Sequence, residues 1–144
     1  MEVMVLELGR LRCLIVDDSP TFLDVARSLL EQQGIAVVGM VSNIADAIRT
    51  VAELQPDVIL VDVELGPESG FELAERVDDE AFPSAVILIS THAEQDLAEL
   101  ISVSPAVGFV SKSELSAGAI RELLRDRDGN DGDHAGAVSE PRGR

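Results

Sequence analysis

The chain has 144 residues, 27 acidic against 11 basic, and a formal net charge of −16. A field of that sign repels phosphate backbones, and the lack of Trp and Tyr removes a base-stacking platform, so the composition excludes an ordinary nucleic-acid binder. The apolar share, 46%, is enough for one folded domain with a real core, and a single cysteine excludes an internal disulfide.

Residues 1–10, "MEVMVLELGR", place Glu2 and Glu7 among apolar residues without a basic lead. They read as an N-terminal extension and not as a signal peptide. No apolar run approaches the roughly 20 residues that span a bilayer. The expectation is a cytoplasmic chain with no membrane partner.

The first strand is "CLIVD" (13–17). Cys13 lies inside this run and reads as a small buried residue, not a nucleophile. The strand ends in adjacent carboxylates, Asp17 and Asp18. Ser19 is placed to cap a helix with Pro20 at its first position. That helix repeats Phe22, Val25, Ala26, Leu29 and Leu30 at helical spacing and should stop at Gly34. A second strand, "IAVVGMV" (35–41), precedes a helix marked by Ile44, Ala47, Ile48 and Val51. A third, "DVILVD" (57–62), ends in Asp62. Ser69 and Glu72 have capping-box spacing ahead of a helix marked by Phe71, Ala74 and Val77.

The fourth strand, "AVILIS" (85–90), ends in Ser90 and Thr91. Thr91 and Glu94 again have capping-box spacing, before Leu97, Leu100 and Ile101. The fifth, "VGFVS" (107–111), is followed by Lys112 and by a helix marked by Leu115, Ala119, Ile120 and Leu123. Beyond Leu124 the periodicity stops. Residues 126–144 are rich in Gly and Asp and read as a disordered acidic tail, with His134 a solvated tail histidine.

Strand and helix therefore alternate five times, which predicts a parallel sheet with helices on both faces over residues 11–125. In such folds the functional groups gather beyond the carboxyl ends of the strands. There stand Asp17 and Asp18, Asp62, Ser90 and Lys112, from four different strands. A lone Asp at a strand end is usually a loop or cap residue, and a lone Lys before a helix is usually solvated. Together they make more sense. Clustered carboxylates call for a hard divalent cation, and a metal, an ammonium, a hydroxyl and an acceptor carboxylate form a site for a phosphoryl group.

The segments "LIVDDSP", "VILVDVELGPESG", "VILIST" and "GFVSKSEL" together resemble the receiver domain of two-component response regulators, over residues 11–125. The resemblance implies a doubly wound α/β fold, flavodoxin-like, with strand order 2-1-3-4-5. It implies that Asp62 is the phosphoacceptor. Asp18 would bind Mg²⁺ directly and Asp17 largely through water, with Mn²⁺ able to substitute. Asp62 and the backbone carbonyl of Glu64 would complete the protein ligands. Ser90 matches the switch hydroxyl, Lys112 the lysine that pairs with the phosphoryl group, Phe109 the switch aromatic and Gly70 the loop glycine. Glu64 and His92 stand where side chains tune the lifetime of the phosphorylated state.

The pattern departs from the family in three places. Gly66 and Pro67 follow Leu65 where the family usually has Pro first. Ser113 replaces the usual Pro after Lys112, so a trans Lys112–Ser113 bond is expected. Phe109 replaces a common Tyr and brings no hydroxyl.

The resemblance further implies a sensor histidine kinase or histidine phosphotransferase as donor. A downstream protein would bind the face of the fourth helix, fifth strand and fifth helix. A homodimer formed on phosphorylation stays open. With no helix-turn-helix pattern after Leu124, the chain as given is expected to be a stand-alone receiver without direct DNA binding, a phosphoacceptor and not an enzyme with a separate substrate. The alternative is a receiver-like scaffold that is never phosphorylated. A haloacid-dehalogenase phosphatase would need a second Asp two residues after its nucleophile on the first strand, and Asp17-Asp18-Ser19-Pro20 lacks that spacing.

Overall fold

The computed structural model describes the backbone of residues 10–137 and the side-chain surroundings up to residue 127. Five strands form one parallel sheet: β1 (Arg12–Val16), β2 (Ala36–Val41), β3 (Val58–Asp62), β4 (Ala85–Ser90) and β5 (Gly108–Ser111). Their spatial order is 2-1-3-4-5, as expected. The helices between them are α1 (Pro20–Gln32), α2 (Ile44–Leu54), α3 (Gly70–Asp79), α4 (Ala98–Val103) and α5 (Ala117–Ala137).

Every residue of β3 and of β4 is buried, whereas the edge strand β2 is half-buried throughout. That is why the central strands are continuous apolar runs: parallel strands are covered on both faces. Alternate residues serve opposite layers. Leu14, Ile59, Val61 and Leu88 pack under α2 and α3 with Ala47, Val51 and Leu73. Cys13, Ile15, Leu60 and Ile87 pack under α1 and α5 with Ala26, Leu30 and Ile120. Burial pushes the Cys13 thiol up to about 12, so it is an inert core residue, as expected.

The helix starts are fixed by side chains. Ser19 Oγ accepts from the Phe22 N–H at 3.2 Å, with Pro20 in the first turn. Asn43 Oδ1 accepts from the Asp46 N–H at 2.8 Å. Ser69 and Glu72 form both halves of a capping box. The Ala117 N–H, at the start of α5, donates to Gln33 Oε1 at 2.6 Å, which ties α5 to the end of α1.

Three expectations are corrected. The capping box at Thr91 and Glu94 does not form. The Ser90 hydroxyl instead accepts from the His92 N–H at 3.0 Å and turns the chain at once, so the helical path starts at a 3₁₀ turn, Glu94–Leu97, without a side-chain cap. In the helical pair that follows, Leu97 and Ile101 pack on the core while Leu100 is exposed; Val25 of α1 is exposed as well. Finally, α5 runs on to Ala137, so residues 126–137 continue a helix where a tail was expected. Ala117 and Ile120 anchor its first turns in the core. Residues 1–9, within the expected extension, and 138–144, the end of the expected tail, lie outside the described residues, as does the His134 side chain. No helix among the described residues is long and apolar enough to cross a membrane.

Candidate functional site

Strands β1, β3, β4 and β5 are neighbours, so their carboxyl ends share one rim. Asp17 follows β1 and is 0% exposed. Its N–H donates to the Val41 carbonyl at 3.0 Å, and its Oδ1 accepts from the Ser19 N–H at 2.8 Å. The turn that launches α1 thus also clamps this carboxylate. Asp18, beside it, is exposed. Asp62 closes β3, is buried, and its Oδ1 accepts from the Glu64 N–H at 2.9 Å. The three carboxylates offer one oxygen each within 4.8 Å of one another.

Lys112 reaches into this group from the end of β5. Its Nζ lies 2.8 Å from Asp17 Oδ2 and 2.8 Å from Asp62 Oδ2. The contact with Asp62 is an aligned hydrogen bond. The contact with Asp17 is an ion pair only, which leaves the buried Asp17 Oδ2 without a hydrogen-bond donor. The ammonium also sits 4.3 Å from the centre of the Phe22 ring, within cation–π range.

The electrostatics follow from this packing. Burial pushes the Asp17 carboxyl above its ordinary value, and the Asp62 charge adds to the rise; Lys112 and the Ser19 N–H pull it part of the way back. Burial draws the Lys112 ammonium down, but its close pairing with the Asp17 and Asp62 carboxylates and their negative charge outweigh it, so its pKa ends above the usual lysine value. One ammonium among three carboxylates still leaves the site short of positive charge.

The donor set therefore fits a hard divalent cation: oxygens only, a charge deficit, and one buried carboxylate oxygen with no hydrogen bond. Asp17, Asp18 and Asp62 are the side chains that could hold it.

Ser90 ends β4 and is buried, paired with Ser111 across the sheet. Its oxygen accepts from the His92 N–H, which leaves its own proton free to donate. Phe109 of β5 packs in the core layer under α2 and α3. The Lys112–Ser113 bond is trans, and no cis peptide occurs among the described residues. Gly66 and Pro67 form a two-residue turn between paired short strands, Glu64–Leu65 and Glu68–Ser69. Gly66 has φ +62°, and glycine with positive φ at the first turn position is what a type II′ hairpin takes.

Two contacts were not legible in the sequence. The imidazole of His92 meets the Glu64 carboxylate, Nε2 to Oε2, at 3.1 Å, so these two flanking residues form a pair across the site. Phe22, which the periodicity marks as a core residue, also holds the lysine. Neither has a sequence signal, because each joins elements far apart in the chain.

The fold is a flavodoxin-like doubly wound sheet with an acidic triad and a lysine gathered at its carboxyl rim. Residues 13–125 match the family model of the response regulator receiver domain, and the chain belongs to that family. Its function class is phosphorelay signalling. Among solved structures it is similar to the signal receiver domain of the putative response regulator NarL from Mycobacterium tuberculosis, with a TM-score of 0.73 and 26% identity over 83% of this chain and 98% of that one. Among curated proteins it is similar to the protein-glutamate methylesterase/protein-glutamine glutaminase 3 of Hahella chejuensis, 35% identical over 54% of this chain and 22% of that protein. It is also similar to the DNA-binding transcriptional activator EvgA of Escherichia coli K12, 25% identical over 72% of this chain and 51% of that protein. The chain thus spans about half or less of these curated relatives.

Proposed function

We propose that Asp62 accepts a phosphoryl group from a phosphohistidine on a sensor kinase or histidine phosphotransferase. An oxygen of the Asp62 carboxylate attacks phosphorus, the P–N bond breaks, and the imidazole leaves carrying its electron pair and takes up a proton. The product is an aspartyl phosphate. The observation that carries this reading is the group of three carboxylates around one lysine at the carboxyl rim.

Each neighbour has a role. The Glu64 N–H, on Oδ1 of Asp62, orients the carboxylate for attack by the other oxygen. Lys112, already on Oδ2, moves its charge to the incoming phosphoryl oxygens. Asp18 would hold Mg²⁺ or Mn²⁺ directly, with Asp17 in support and Asp62 and the Glu64 carbonyl as the remaining protein ligands. When bound, that cation neutralises phosphoryl charge. The Ser90 hydroxyl donates to a phosphoryl oxygen, and Phe109 repacks as Ser90 moves. The added charge shifts the population between two states of the α4, β5 and α5 face, which binds a downstream protein. The chain is a signalling phosphoacceptor and does not itself contact DNA.

The test is direct. With Mg²⁺ and acetyl phosphate, wild type should gain the mass of one phosphoryl group in a base-labile adduct. Asp62→Asn should gain none, and removing the metal with EDTA should prevent the gain in wild type. If wild type took no adduct from acetyl phosphate or from a phosphorylated kinase, the scaffold reading would stand instead.

The lifetime of the adduct should depend on the His92–Glu64 pair, which bridges β4 and the hairpin beside Asp62. A bridge there obstructs the approach of water. Glu64→Ala and His92→Ala are each expected to shorten the half-life of the phosphorylated chain several-fold, read by loss of the mass adduct with time. Unchanged half-lives in both variants would remove the pair from the mechanism.

A further inference from the structure

A groove of about 320 Å³ runs between α5 and the 3₁₀ turn before α4, with β5 as its floor. Its apolar lining includes Phe109 of β5 and Leu123 of α5. The walls carry four carboxylates from three separate elements: Glu94, Glu114, Glu122 and Asp126. All four are exposed, and among the described residues none has an ion-pair partner.

We infer that this groove docks a cationic amphipathic segment of a partner protein, one that seats an apolar side chain on Phe109 and Leu123 and sets Lys or Arg against the four carboxylates. The volume is at the small end of ligand clefts, which run from about 300 Å³, so it suits one or two aliphatic anchors and not a whole folded surface. Four unpaired like charges repel one another, and a cationic occupant relieves that repulsion. A second copy of this chain is a poor occupant, since 27 acidic residues face 11 basic ones in each copy. The charge preference stands on the groove alone. Its control by phosphorylation rests on the function proposed above: Ser111 lines the groove beside Lys112 and pairs with Ser90, so movement at the acceptor site reaches the floor through adjacent residues.

The probe is a fluorescein-labelled helical peptide with leucines at positions i, i+3 and i+4 among lysines, beside a twin with glutamate for every lysine. Binding to the unphosphorylated chain is followed by anisotropy and by amide shift mapping. The lysine peptide should bind, the glutamate twin should not, and the shifts should centre on Phe109, Glu122 and Leu123. Glu122→Lys with Asp126→Lys should weaken binding by about tenfold. Glu53→Lys with Glu75→Lys, exposed sites away from the groove, changes net charge equally and should leave affinity nearly intact. Equal loss in both double variants, shifts mapping elsewhere, or equal binding of the twins would overturn the inference. Asp62→Asn keeps this basal binding, so a failed phosphorylation test and a failed docking test are distinguishable.

Discussion

Lys112→Met should destabilise the fold by about 3–5 kcal/mol, the range for removing one partner of a buried ion pair. The lysine side chain is only 14% exposed, and Asp17 opposite is 0% exposed. Methionine keeps the length of the side chain and a favourable contact with the Phe22 ring, so packing loss is small and the charge is what the measurement reads. Urea unfolding at neutral pH gives the value. Adding Asp17→Asn should recover much of it, because the unpaired buried charge disappears with its partner. Saturating Mg²⁺ should recover part as well, by binding the folded state alone. Equal stability of Lys112→Met and wild type would mean that the three carboxylates do not depend on this ammonium.

The pH dependence has a definite sign. Lys112 has its pKa raised by folding, so its contribution is fully present below the ordinary lysine value of 10.5 and fades only as pH rises through the folded value. Asp17 is shifted the opposite way to a paired carboxylate. Burial raises its pKa above 3.8, so its ionised form costs stability at neutral pH. Without Lys112 the main opposing influence is gone. The deficit of Lys112→Met should therefore shrink as pH falls through the folded pKa of Asp17 towards 3.8.

How much of this was legible beforehand depends on the distance over which each feature is encoded. The strands β3 and β4 announced themselves because burial on both faces forces continuous apolar runs. The caps at Ser19 and Ser69 were legible because they act within three residues. The same logic failed at Thr91, where Ser90 used its hydroxyl for the nearer His92 N–H and set a different start. The acidic triad was legible once the strand order was in hand, since parallel topology places all carboxyl ends on one edge. The His92–Glu64 bridge and the Phe22–Lys112 contact were not, because each depends on how loops from different strands lean. The run of α5 past residue 125 was hidden by composition, because its Gly and Asp residues read as tail.

Gly70→Ala should damage both fold and phosphoryl transfer. A β-carbon at position 70 would lie 2.4 Å from the carbonyl oxygen of Asp62 and 3.0 Å from its carbonyl carbon. These are backbone atoms at the end of a fully buried strand, so no side-chain rotation relieves the clash. The backbone must move on one side or the other. On the α3 side it is pinned by the Gly70 N–H donating to the Val63 carbonyl at 2.9 Å and by the capping box at Ser69. On the β3 side it carries Asp62 itself. Overpacking of this kind costs about 1–3 kcal/mol, measurable by urea unfolding. Its further effect separates it from an ordinary core defect. A displaced Asp62 should cut the rate of phosphoryl uptake far more than a comparably destabilising change on the distant α1 face, such as Leu30→Ala, measured on protein that is still fully folded. Equal rates in the two variants would mean that Gly70 serves only the packing of α3 and has no part in placing the acceptor.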